Sequence, residues 1–143
     1  MKYAVIIFLM AGLLFMPGCG KKGPPTLPSP PKPALIESPA VVYQPETGVR
    51  LTWMVAGSTK DLTGFVLMRG DEKFGETQCR SCADFYQPLA KLDLEQASVP
   101  KEKNKYQFVD ETVESNWRYY YQIAPFYRNG ATGQPVQISV DVY

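Results

Sequence analysis

From residue 34 onward the chain reads in period two. Val49, Leu51 and Trp53 alternate with Arg50, Thr52 and Met54; Phe65 and Leu67 alternate with Val66 and Met68; Tyr106 and Phe108 alternate with Gln107 and Val109. Tyr119, Tyr121 and Ile123 alternate with Arg118, Tyr120 and Gln122, and Val136, Ile138, Val140 and Val142 alternate with Gln137, Ser139 and Asp141. Successive side chains of a strand leave on opposite faces, so each run predicts a strand with one face toward a core. Turn-forming residues separate the runs at Pro45 to Gly48, Gly57 to Gly64, Glu114 to Asn116 and Asn129-Gly130. No window has the periodicity of an amphipathic helix; only YQPLAKLDLEQA, residues 86–97, fits either a strand or a short helical turn. Several strands with one apolar face each need a second sheet to cover that face. The expected fold is therefore all-β, a two-sheet antiparallel sandwich of about seven strands.

Before residue 34 the pattern changes twice. Lys2 precedes an uncharged apolar run, Tyr3 to Met16 (YAVIIFLMAGLLFM). At about 1.5 Å per residue this run spans roughly 21 Å as a helix, short of the ~30 Å of a bilayer core. Its length suits the apolar segment of an export signal, and residues 1–18 are read as a signal peptide. Gly20 to Pro33 then carries six prolines, at 24, 25, 28, 30, 31 and 33. Such a segment builds no core and favours extended polyproline II at about 3.1 Å per residue, a tether with a reach of roughly 40 Å.

Between signal and tether stands Met16-Pro17-Gly18-Cys19. It resembles the lipobox of bacterial lipoproteins, from which it differs at Met16 and Pro17, and GCGKKGPP is similar to the start of LptM-type lipoproteins. The resemblance implies that Cys19 carries a diacylglycerol and becomes the mature N-terminus, with Gly20 directing the protein to the outer membrane, facing the periplasm. Two or three acyl chains, at ~0.8 kcal/mol per buried CH₂, anchor a protein stably where one does not. The implied organisation is a signal peptide over 1–18, a lipidated proline-rich tether over 19–33 and a sandwich over 34–143. Within the sandwich, VRLTW, GFVLMRG, YQFVD, NWRYYYQIAPF and PVQISVDV, in that order and spacing, resemble a fibronectin type III domain, an immunoglobulin-like sandwich. Trp53 then falls on the family's strand B and Tyr119 near the start of strand F, where a buried ring sends its hydroxyl to nearby backbone. Residues 70–104 are longer than the family norm and contain Cys79 and Cys82.

Composition narrows the function. The formal charge is +1, and loss of Lys2 with the signal leaves 14 basic and 14 acidic side chains, no footprint for nucleic acid. The chain has no histidine, which removes the commonest general base and metal ligand. With Cys19 acylated, Cys79 and Cys82 form an even count, and in an exported protein they most simply pair as a disulfide. A redox-active Cys-x-x-Cys and half of a shared zinc site are the alternatives; Ala83 stands where a haem attachment motif needs histidine. Arg69-Gly70-Asp71 matches an integrin-binding tripeptide but is read as the end of a strand and its turn, and Asp110, Glu111 and Glu114 as an acidic turn. On the outward phase stand Arg118 and Tyr120, with Phe126 and Tyr127 closing the strand. Tyr and Arg are enriched at binding hot spots, which makes these four the candidate partner-binding surface. No catalytic residue, metal or cofactor is expected. The sequence points to a non-catalytic, membrane-anchored periplasmic lipoprotein that binds an envelope protein or glycan. Two alternatives stand beside it: a thiol-disulfide redox protein using Cys79 and Cys82, and an assembly factor for lipopolysaccharide export.

Overall fold

The computed structural model describes residues 34–100 and 102–143. The signal peptide, Cys19 and the proline-rich tether lie outside the described residues. Seven strands appear in chain order: β1 (Leu35–Gln44), β2 (Gly48–Ala56), β3 (Leu62–Lys73), β4 (Gln87–Asp93), β5 (Lys105–Asp110), β6 (Trp117–Tyr127) and β7 (Val136–Val142). A single helical turn, α1 (Leu94–Ala97), joins β4 to β5. The strands form a three-stranded sheet, β1-β2-β5, and a four-stranded sheet, β4-β3-β6-β7, with every neighbouring pair antiparallel. The all-β, two-sheet antiparallel sandwich expected from the alternation is the fold.

The apolar phases meet between the sheets. Val49, Leu51, Trp53 and Val55 from β2 face Phe65 and Leu67 from β3 and Tyr119, Tyr121 and Ile123 from β6, all buried. Trp53 meets Phe65 edge-on at 5.1 Å between ring centroids, and Tyr106, stacked beside Trp53 at 6.4 Å, lies 4.7 Å from the same Phe65 ring. The indole Nε1 of Trp53 is buried and has no hydrogen-bond partner among the described residues. Tyr119, also buried, accepts a 2.8 Å hydrogen bond at its hydroxyl from the backbone N–H of Glu114, pinning the β5–β6 corner to the start of β6.

Several local expectations are corrected. β1 has no counterpart in the runs read from the sequence, because Ser38, at φ 49°, and Pro39 break its alternation. The register slips between Glu37 and Ala40, and the two halves of the strand are out of phase. The ambiguous segment 86–97 is both things in turn: β4, then one helical turn. Asp93 sets the switch by a capping box, its carboxylate accepting from the Gln96 backbone N–H at 2.8 Å while the Gln96 side chain accepts from the Asp93 N–H at 3.2 Å. Arg69-Gly70-Asp71 is neither the end of a strand nor a turn, since β3 continues through it to Lys73, paired with β6.

Asp110 is not part of an acidic turn. It is 2% exposed, at the end of β5, and joins the two sheets. Its carboxylate accepts from Arg69 Nη1 at 2.8 Å, from the Tyr121 hydroxyl at 2.9 Å, and from the Thr112 hydroxyl and backbone N–H at 2.7 and 3.0 Å. Arg69 also lies 5.2 Å above the Tyr119 ring. Burial alone would raise the Asp110 carboxyl, but the Thr112 and Arg69 donors outweigh it and hold it below the usual carboxylate range.

Two expectations follow from this interior. Truncating Trp53 to alanine leaves an aromatic-sized void, and urea unfolding should show a loss of about 3–5 kcal/mol. For Asp110, the folded pKa is depressed, so its stabilisation is complete above the unfolded value and is lost as pH falls through the folded one. Acid unfolding followed by circular dichroism should therefore be less steep in Asp110→Asn than in the parent, with the variant already less stable at pH 7.

Candidate functional site

The outer face of the four-stranded sheet follows from the same alternation that builds the core. In register across β3, β6 and β7 it presents two rows, Glu72–Arg118–Asp141 and Gly70–Tyr120–Ser139. Opposite charges directly across a sheet attract. Arg118 donates from Nε and, at 2.8 Å, from Nη2 to the two carboxylate oxygens of Asp141, a bidentate fork. The Asp141 pairing and the neighbouring Tyr120 phenol raise the Arg118 pKa, and Asp141 is lowered in return.

The long segment between β3 and β4 folds over this face. Cys79 and Cys82 are joined by a disulfide, the pairing expected from their count. The bridge closes a turn in which the Cys82 N–H donates to the Cys79 carbonyl at 3.0 Å, and the Phe85 N–H then reaches the Cys82 carbonyl at 3.1 Å. Phe85 is 8% exposed and lies on Gly70, where a Cβ would meet the Phe85 ring at 2.3 Å. Glycine at position 70 is what lets the segment come down onto the sheet. Phe85 also meets the Tyr120 ring at 5.4 Å.

Arg80, held between the two cysteines, reaches back over the sheet. Its Nε and Nη2 donate to Glu72 Oε2 at 3.2 and 2.8 Å, and its guanidinium lies 4.8 Å above the Tyr120 ring. The Tyr120 hydroxyl donates to the same Glu72 oxygen at 2.9 Å, and the Gln78 backbone N–H donates to the other at 3.2 Å. Glu72 is thus a hub: the Tyr120 hydroxyl first, then the Gln78 amide and Arg80, hold its carboxyl below the usual range. Two shallow depressions of about 320 and 560 Å³ adjoin here and share Arg80 and Arg118. On their rim Phe74 and the strongly exposed Tyr143 lie 5.4 Å apart.

The four candidate surface residues do not form one patch. Arg118 and Tyr120 belong to the cluster just described. Phe126, on the same face, is six residues further along β6, about 20 Å away at ~3.3 Å per residue, under the Lys91 ammonium at 3.7 Å. Tyr127 leaves the strand on the opposite phase and donates to the Ala34 carbonyl at 3.1 Å, so it ties β6 to the residue preceding β1. Arg80 and Glu72 completed the cluster without being singled out in the sequence, whereas Phe85 opens the segment, residues 85–89, expected from the sequence to add aromatics to this surface. Glu72 carried a readable signal, an acid on the outward phase of β3 opposite Arg118. Arg80 carried none, because it lies on a loop with no period.

No protein-family model matches the chain, and no curated protein matches its sequence. Among solved structures it is similar to the pectate lyase PelI from Erwinia chrysanthemi, crystallised in complex with tetragalacturonic acid. The similarity has a TM-score of 0.45 at 13% identity, and covers 75% of this chain and 28% of that one. The chain thus spans less than a third of the length of that enzyme.

If the disulfide fixes the segment over the sheet, reducing it should loosen the segment alone. Hydrogen exchange on the reduced and alkylated protein should speed up at the Gln78, Cys82 and Phe85 amides, while the β3–β6 ladder keeps its protection. A loop of four residues gains only roughly 2 kcal/mol from closure, so the sandwich itself should remain folded.

Proposed function

We propose that this chain is a lipid-anchored, non-catalytic interaction module of the bacterial cell envelope, held by Cys19, spaced from the membrane by the proline-rich segment, and binding an envelope partner through the sandwich. The observation that carries the reading is the Glu72–Arg80–Arg118–Tyr120 cluster, a rigid, partly exposed set of aromatic and guanidinium groups on an open sheet face. Such residues dominate binding energy where they are fixed before the partner arrives, since less side-chain entropy is lost on association. The depressions beside the cluster are shallow, which suits recognition of a surface or an extended ligand. The order of strands in the two sheets and the Tyr119 corner support the fibronectin type III-like reading of residues 34–143.

The thiol-disulfide alternative has less support. Cys79 and Cys82 lie on an exposed loop of an all-β fold, with no helix N-terminus among the described residues beside them to stabilise a thiolate. The lipopolysaccharide-export alternative rests on residues 19–25 alone.

The anchor is tested in cells. Palmitate labelling should follow the wild-type protein into the membrane fraction, whereas Cys19→Ser should lose the label and be recovered in the soluble envelope fraction. Unlabelled wild-type protein in that soluble fraction would end this reading.

A further inference from the structure

We propose that the depression around Arg80 and Arg118 is a binding site for an uncharged saccharide, an extension that rests on the interaction-module reading above. The argument begins with charge. Each guanidinium already faces its own carboxylate, Arg80 with Glu72 and Arg118 with Asp141, so the local charges cancel in pairs. A phosphate or carboxylate ligand would meet no uncompensated positive charge here and would lie close to the two carboxylates. An uncharged ligand meets no such repulsion.

The hydrogen-bonding capacity points the same way. In both arginines Nε and Nη2 are committed to the carboxylate; the Arg80 Nη1 makes no hydrogen bond among the described residues, while Arg118 also interacts with the neighbouring Tyr120 phenol. The Arg80 Nη1 therefore keeps two N–H donors, and both arginine side chains line the same depression beside the exposed Ser139 hydroxyl. Glu72 is nearly buried and taken up by Arg80, Tyr120 and Gln78, so the acceptor left open to a ligand is the more exposed Asp141 carboxylate, which also accepts from the Tyr143 hydroxyl at 3.3 Å. A sugar ring offers adjacent hydroxyls that donate and accept at once, and planar charged groups fixed side by side engage two of them together. The second half of a sugar is its apolar C–H face, which packs on aromatic rings. Tyr143, 81% exposed, supplies such a ring at the edge of the depression, with Phe74 behind it.

Preorganisation completes the case. Individual sugar contacts are weak because each replaces one with water, so a site must lose little entropy on binding. Arg118 is fixed by a bidentate fork within a central strand, and Arg80 by the disulfide turn, Glu72 and the Tyr120 ring.

The test is a titration of ¹⁵N-labelled protein, residues 20–143 with the disulfide formed, with cellotetraose, chitotetraose and, as the anionic arm, a chondroitin tetrasaccharide. Expected is saturable movement of the Arg80 and Arg118 Nε–H signals and the Tyr120 and Ser139 amides with at least one neutral tetrasaccharide, with a Kd on the order of 1 mM. Arg118→Lys, which keeps the charge and loses the fork, and Tyr143→Ala should each weaken binding about tenfold, and Met54→Ala on the opposite sheet should leave it unchanged. Because Arg118→Lys alters a cross-strand pair, Tyr143→Ala serves as the variant that leaves the sheet intact. No saturable movement with either neutral probe, movement confined to another face, or stronger binding of the anionic probe overturns the saccharide site. Photo-crosslinking from position 143 in intact cells separates the two readings. An envelope protein captured there without saccharide binding ends this inference and leaves the interaction module standing, while capture of neither ends both.

Discussion

The antiparallel pairing of β3 with β6 is the constraint from which the rest of the molecule follows. These are the two longest strands among the described residues, paired from Leu62 opposite Tyr127 and, after a shift between Leu62 and Gly64, in one register from Gly64 opposite Phe126 to Lys73 opposite Trp117. Because a strand alternates its side chains, one register fixes two surfaces at once. Phe65, Leu67, Tyr119, Tyr121 and Ile123 go to the core; Gly70, Glu72, Arg118 and Tyr120 go outward. A slip of one residue would bury the second set and expose the first, so the apolar core and the exposed cluster are enforced by the same ladder.

The two sheets are also aligned by a polar contact. Asp110 comes from the three-stranded sheet, and Arg69 and Tyr121, which bind it, from the four-stranded one. A buried ion pair is weak evidence for net stability, because desolvation of both partners offsets much of their attraction. Its effect here is on geometry. Four donors converge on one carboxylate, and they are satisfied only when β5 and β3 stand at one particular offset. Hydrophobic contact between sheets tolerates sliding, whereas this set does not. The tyrosine corner acts at the same end of the sandwich, so the β5–β6 connection is held by directed bonds on either side.

The sequence disclosed what is periodic and concealed what is not. Strands β2, β3, β5, β6 and β7 were legible because burial of one face imposes a two-residue period over four or more positions. β1 was hidden because a bulge at Ser38 reverses its phase midway. Asp110 and Arg69 were misassigned to turns although they sit on the inward phases of their runs, at 106, 108, 110 and 65, 67, 69. A charge on an apolar phase signals a buried pair, and turn chemistry was allowed to outweigh that phase. The candidate site was half legible: Arg118 and Tyr120 follow from parity, and the disulfide from cysteine arithmetic. That Arg80 would come down on Tyr120 depended on Gly70, a missing side chain whose meaning appears only when Phe85 fills its place.

Gly70 and the disulfide explain why a long insertion between β3 and β4 does not behave as a loose loop. An excursion of this length would ordinarily carry conformational entropy that weakens any site built on it. Here the entropy is removed in three places: the covalent turn at Cys79–Cys82, the Phe85 ring seated over Gly70, and the Arg80 fork on Glu72. The anchors are chemically different, so no single change in conditions releases all of them. Acid weakens the Glu72 contact, reductant opens the turn, and neither removes the apolar seat of Phe85. The segment therefore works as an added layer of the sheet, and places on a rigid face a guanidinium that the strands themselves do not provide.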